Sequence, residues 1–345
     1  MLEMKHTTTG SGSWTRAYGV NTAGSRVLSS DIGSDGTGTD SAFIYDGRGN
    51  MEEGMNNGVR MYYNEANRLY KIEGYAGTTY YQYDSNGQRV RKVTEATGLR
   101  HHRLYIGGYE QYQKVNTGTS AIELERETLH IMDNAARVAI IDTPTIDTLC
   151  SGEVQTLRYL FSNHLGTATL ELDDAADVIS YEEYYPYGNT SYQAGRSAAE
   201  VSLKRYRYIG NERDDESGLY YIGARYYCPW LARWLEPDPI NSEWYNLCKG
   251  NPTRNLERQF VELTASGYEY CYANPVRFID PSGEQVPPRE RESDSFTKNM
   301  AEGAARGAQD NLAPLVEASR FVLSHCKGLP CETWLWMEHK CYWIW

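Results

Sequence analysis

YYQYDSNGQRVRKV, residues 80–93, is the stretch on which the fold turns. Tyr81, Gln82 and Tyr83 alternate with the period of two that marks a strand. Asp84-Ser-Asn-Gly87 supplies a turn, because Asn and Gly tolerate positive φ. Arg89-Val-Arg-Lys-Val93 then resumes the alternation, with outward charge and inward valine as the expectation. A lone hairpin is marginal in water, so such a unit needs neighbours stacked into a sheet.

The neighbours are present. FIYDGRGNM (43–51), MYYNEANRLYKIEG (61–74) and RLYIGGYEQYQKV (103–115) place their key tyrosines, Tyr45, Tyr63 and Tyr105, about 18 to 22 residues from the next, with Tyr83 between. The 29 Tyr against 6 Phe suit strands with one half-wet face rather than a Leu/Phe core. Asp133-Asn134 separates two more alternating runs within 116–157, read as an irregular strand segment that interrupts the repeats. The polar run 190–204 reads as an exposed loop, and the Gly/Ser/Thr-rich 1–42 as a flexible segment with at most one short strand.

The formal net charge of −12 argues against a free-standing nucleic-acid binder, so no nucleic-acid partner is expected. The basic clusters Arg89, Arg91, Lys92 and Lys204, Arg205, Arg207 read as solvated strand faces. Seven Cys in no regular framework read as reduced thiols. The sequence has neither a run of about 18 apolar residues nor a signal-peptide start. Secretion or surface display would therefore use a non-classical route.

The units resemble the YD repeats of the RHS family, found in bacterial polymorphic toxins and in the C subunits of toxin complexes. RYLFSNHLGTATLELDDAADVISYEEYYPYGN (158–189) resembles the family's strand, His-x-Gly turn, strand and Tyr-Pro-Tyr-Gly turn. YRYIGNERDDESGLYYIGARYYCPWLARWLEPDP (206–239) is similar to the RHS repeat-associated core. The resemblance implies a mainly β fold: YD repeats over 43–115 and a core over 158–284, forming part of a spiralling hairpin shell. It also implies a variable C-terminal tail or passenger over 285–345. Within the core, GLYYIGARYY gives two short strands around Gly223. Arg225 reads either as a stacked, hydrogen-bonded guanidinium or as a surface charge.

By the same resemblance the core is an internal aspartic peptidase that releases the passenger. The carboxylates fall on Asp238 and Asp280, with Arg233 assisting and the cut after Gly283 or Glu284. Two carboxylates in close approach cannot both ionise easily, so one can act as acid while the other activates water. The plain alternative is that each Asp-Pro only starts a turn. The sequence departs from the family pattern at Ala232, at Glu284 and in an insertion over 241–267, which pushes the expected strand to YEYCYANP (268–275). Leu256, Phe260 and Leu263 give that insertion a helical face.

In the tail, Phe296, Met300, Ala304, Ala308 and Leu312 recur every four residues, predicting a short helix. Trp334, Trp336, Trp343 and Trp345 suggest an apolar plug or a membrane-interface contact. Cys326, Cys331, His339 and Cys341 match no standard zinc site, and no cofactor motif occurs, so neither metal nor cofactor is expected. The leading expectation is a carrier for its own passenger, served by secretion machinery and an immunity protein. The alternatives are a non-catalytic surface protein binding carbohydrate or protein, and a truncated remnant.

Overall fold

The computed structural model describes residues 3–6, 14–20, 26–32, 41–55, 58–74, 77–134, 136–148, 154–197, 201, 203–239 and 267–284. Their fold is mainly β. A 14-stranded antiparallel sheet runs in strict chain order from Ile44–Tyr45 to Thr190–Gly195 and stays open. A 4-stranded sheet precedes it, and a 3-stranded sheet (Tyr220–Ile222, Arg225–Cys228, Arg233–Trp234) follows.

One turn chemistry builds the repeats. The Asp84 carboxylate accepts the backbone N–H groups of Asn86 and Gln88 at 2.8 and 2.9 Å, while Gly87 takes φ 76°. Asp46 does the same for Arg48 and Asn50, Asn163 for Leu165 and Thr167, and Asp173 for Ala175 and Asp177. A short side chain thus takes over turn amides that no strand partner can reach.

The tyrosines explain their own excess over phenylalanine. Tyr45 donates its hydroxyl to the Val27 carbonyl, Tyr63 to Met51 and Tyr83 to Leu69. Each hairpin is therefore tied through one phenol to the chain before it. Tyr63→Phe is expected to lower the unfolding free energy by about 1 kcal/mol, read from the urea midpoint, because the hydroxyl's partner is left unpaired.

Residues 203–239 and 267–283 cover one face of the sheet, its inner face. Leu219, Tyr226, Cys228, Leu231 and Leu235 pack on Tyr18, Val27, Phe43, Met51, Met61, Leu69, Ile72 and Tyr81. A second cluster joins Tyr208, Tyr220, Ile222, Tyr227, Trp234, Tyr270 and Cys271. Beside these apolar clusters lies a buried charged layer. Arg89 pairs with Glu212 and Asp214, and Lys92 with Asp214 and Glu216. Arg205 bridges Glu110 and Glu212, while Lys204 and Arg207 share Glu182.

This overturns the solvated-face reading for Arg89, Lys92, Lys204, Arg205 and Arg207, though not for half-buried Arg91 opposite exposed Gln82, and it overturns the reading of valine as inward. A bulge between Arg89 and Arg91 adds a residue to the strand. Arg89 and Lys92 then both face inward, Lys92 opposite buried Tyr81, while Val93 sits opposite the exposed Tyr80.

Four further expectations change. Residues 1–42 carry Glu3–His6, Trp14–Val20, Val27–Ile32 and Ser41–Ala42, whose Tyr18 and Val27 enter the core. The segment 116–157 does not interrupt the sheet: Ile122–Asp133 and Ala136–Asp147 form its longest hairpin, with Asn134 at φ 52°. Thr190–Gly195 is an edge strand rather than a loop, and Lys204 beyond it is buried. YEYCYANP gives a single bridge at Glu269 and a 3-10 turn at Cys271–Ala273, because Cys271 and Ala273 take positive φ and fold the chain back. The helices expected at 256–263 and 296–312, the four tail tryptophans and the Cys326 cluster lie outside the described residues.

Candidate active site

The site is built where two turns meet. Tyr220–Ile222 and Arg225–Cys228 are joined through Gly223, which takes φ 52°, and a Cβ there would stand 2.4 Å from the Ser282 carbonyl oxygen. Gly283 returns the fit: at φ 69° its own Cβ would stand 2.3 Å from the Ile222 oxygen. Ala224 N–H donates to the Ser282 carbonyl at 2.9 Å. The Asp280-Pro-Ser-Gly283 turn is thus seated directly on the strand turn. Asp280 Oδ1 closes it by accepting the Gly283 N–H at 2.9 Å.

Arg225 is the hub. Its Nε donates to the Gly283 carbonyl at 2.6 Å and its Nη1 to the Gly267 carbonyl at 3.0 Å. Its Nη2 reaches both Asp238 Oδ2, at 3.1 Å, and Asp280 Oδ2, at 3.3 Å. The guanidinium carbon lies 4.2 Å above the Trp234 ring, which fixes the plane of the fork. Asp238 N–H donates to the Gly267 carbonyl at 2.8 Å, which fixes the backbone that carries its carboxylate. All three charged side chains are buried. Burial lowers the Arg225 guanidinium below its ordinary value, against Asp238, Asp280 and Glu236, which raise it. Burial likewise pushes Glu236 up to about 7, against the Tyr226 amide and the Arg225 charge.

No family model matches the chain. It is 31% identical over 275 residues to the toxin subunit YenC1 of Yersinia entomophaga, covering 73% of this chain and 27% of that protein. It is 30% identical over 257 residues to YenC2 of the same organism, covering 70% of this chain and 24% of that protein. The fold superposes on the crystal structure of TcdB2-TccC3 with a TM-score of 0.61 at 24% identity, over 79% of this chain and 14% of that one. The chain belongs to the RHS repeat family. It spans about a quarter of the length of its Yersinia relatives.

The RHS chain brings three of the expected site residues together. Asp238 and Asp280 converge on one nitrogen although 241–267 is inserted between them, and Gly283 presents its carbonyl to the same guanidinium. Glu284 follows with its N–H on Ser282 Oγ at 3.1 Å. The turn reading of Asp280 also holds, because its second oxygen caps the turn. Arg233 lies on the adjoining strand opposite Cys228, and its charge acts on Tyr18, Tyr45 and Tyr187. The cation between the aspartates is Arg225. The sequence showed its aromatic setting and left stacking and a surface charge both open; the structure decides for stacking, and nothing in the sequence told that one fork would hold both carboxylates. Glu236 was not singled out at all.

Proposed function

We propose that this RHS chain is wall and core of a toxin shell that presents a C-terminal effector and cuts itself between Gly283 and Glu284. The observation that carries the reading is the Gly283 carbonyl on Arg225 Nε, 2.6 Å away, with Asp238 and Asp280 on the same guanidinium. One carboxylate takes a proton from water as its oxygen attacks the Gly283 carbonyl carbon. Arg225 Nε–H holds the charge that develops on the carbonyl oxygen. The C–N bond to Glu284 then breaks, and the other carboxyl delivers a proton to the leaving nitrogen. The products are a carboxylate at Gly283 and an amine at Glu284. The names of the relatives, two toxin subunits and the TcdB2-TccC3 complex, support a role with further toxin-complex components, outside the cell that makes it.

Intact mass of the expressed chain tests this. A fragment beginning at Glu284 is expected, and Asp238→Asn is expected to abolish it. A single unbroken mass, the same in both chains, sinks self-cleavage. One observation favours a second, non-catalytic reading. Tyr159 and Phe161 on one strand, and Tyr181 and Tyr192 on a strand pair that begins two strands further along, are exposed, with Tyr181 and Tyr192 in ring contact. Such aromatic rings suit a carbohydrate or protein ligand, and the unbroken mass would favour that role.

A further inference from the structure

At the end of the short core sheet the backbone ladder is one acceptor short. Tyr227 pairs with Trp234 and Cys228 with Arg233. One step further, Leu235 N–H still donates to the Tyr226 carbonyl at 3.0 Å. The reciprocal bond would run from Tyr226 N–H to the Leu235 carbonyl. That carbonyl instead accepts Met51 N–H, at 3.0 Å, from the repeat sheet. The Tyr226 amide is satisfied by a side chain, Glu236 Oε2, at 3.0 Å. Glu236 is buried and stands two residues before Asp238; Tyr226 directly follows Arg225.

We propose that Glu236 is a positioning residue of the cleavage site: its carboxyl replaces the missing ladder acceptor and locks the Arg225 backbone against the turn that carries Asp238. The inference rests on the self-cleavage reading. It adds a residue that acts through Arg225 and touches none of the reacting atoms.

The same carboxyl makes the lock sensitive to protonation. The charged and titratable groups that face it are Arg225 and Arg68, with Tyr63, Tyr83 and Tyr268. Asp238 and Asp280 are held by Nη2 of the same Arg225. Protonated Glu236 can accept the Tyr226 N–H and leave the Arg225 charge to the two aspartates. Ionised Glu236 adds a third buried negative charge beside one guanidinium. Burial raises its titration from the ordinary 4.5 to about 7, so the change falls in the neutral range.

The test uses the full chain, purified in denaturant and refolded by dilution at pH 5 to 9, with the fragment beginning at Glu284 timed by mass. The wild-type rate is expected to fall about tenfold as pH rises through neutrality, one pH unit per tenfold once the carboxyl ionises. Glu236→Gln, which keeps the acceptor and cannot ionise, is expected to be as fast as wild type at pH 5 to 6 and to lack the fall centred near 7, keeping only the pH dependence of the aspartate pair. Glu236→Asp, one methylene shorter, is expected to be slower by about tenfold at every pH, one lost hydrogen bond being worth about that factor. A Gln variant that keeps the neutral step, or an Asp variant that cuts like wild type, overturns the proposal.

If wild type is uncut at every pH, the cleavage reading fails, and the unfolding midpoint of the uncut chains then tests Glu236 separately. A raised folded-state value stabilises below the unfolded value and loses that contribution as pH rises through the folded one. Wild type should therefore lose stability relative to Glu236→Gln between about 4.5 and about 7. Parallel midpoints overturn the role. Should neither variant refold, the wild-type infrared band of a protonated carboxyl decides: it must titrate near neutrality, and its absence overturns the assignment.

Discussion

Arg225→Gln is expected to stop the cut, slowing the appearance of the Glu284 fragment by at least about a hundredfold. That is the usual loss when one donor to a developing oxyanion is removed. Here the same change also strips both carboxylates of their shared cation. Leaving buried charges unpaired typically costs about 3–5 kcal/mol, so the denaturant midpoint should fall as well. Arg225→Lys separates the two effects. It keeps a charge but loses the fork that reaches Gly283, Asp238 and Asp280 at once, so cleavage should fail with a smaller loss of stability. Arg233→Gln is the control and should still cut. Cleavage that persists in Arg225→Gln and stops in Arg233→Gln would move the catalytic cation to Arg233.

Asp214→Ala should be among the most destabilising single changes in the chain, at about 3–5 kcal/mol. Asp214 is fully buried and accepts from both Arg89 Nη1 and Lys92 Nζ, each at 2.8 Å. Burial alone would lower the Lys92 ammonium, but Asp214, Glu216 and Glu212 hold it above its ordinary value. The same cluster sets the response to acid. Burial would raise Glu212, yet Arg89, Lys92 and Arg205 bring it below the ordinary 4.5. A lowered carboxylate stabilises above its unfolded value and loses that contribution as pH falls through the folded one. The contribution of Glu212 to the urea midpoint should hold down to about pH 4.5 and be lost below it. A midpoint unmoved by Asp214→Ala would show that the charged layer carries no weight in closing the core onto the sheet.

What could be read in the sequence was local. The Asp84 turn needs five consecutive residues, Asp84 to Gln88, and its chemistry repeats at Asp46, Asn163 and Asp173. The pairing of Asp238 with Asp280 came through resemblance, since no spacing rule joins residues on either side of 241–267. The direction of Arg89 and Lys92 was hidden twice. A bulge shifted the alternation, and their partners stand 122 to 125 residues downstream. Arg225 showed the same limit: its aromatic neighbours made stacking one of two readings, whereas its three hydrogen-bonded segments meet only in the fold.

The charged layer also bears on how the chain comes off the ribosome. The tyrosine bonds let each hairpin fasten to the one already made, so the sheet can lengthen in order of synthesis. The inner face must then wait for residues 203–239. While it waits, Arg89, Lys92, Arg103 and Arg126 line part of it. Hydrated cations there keep a half-made sheet from sticking to another copy. The arrival of Glu212, Asp214 and Glu216 withdraws that protection only when the chain's own core is ready to cover the face.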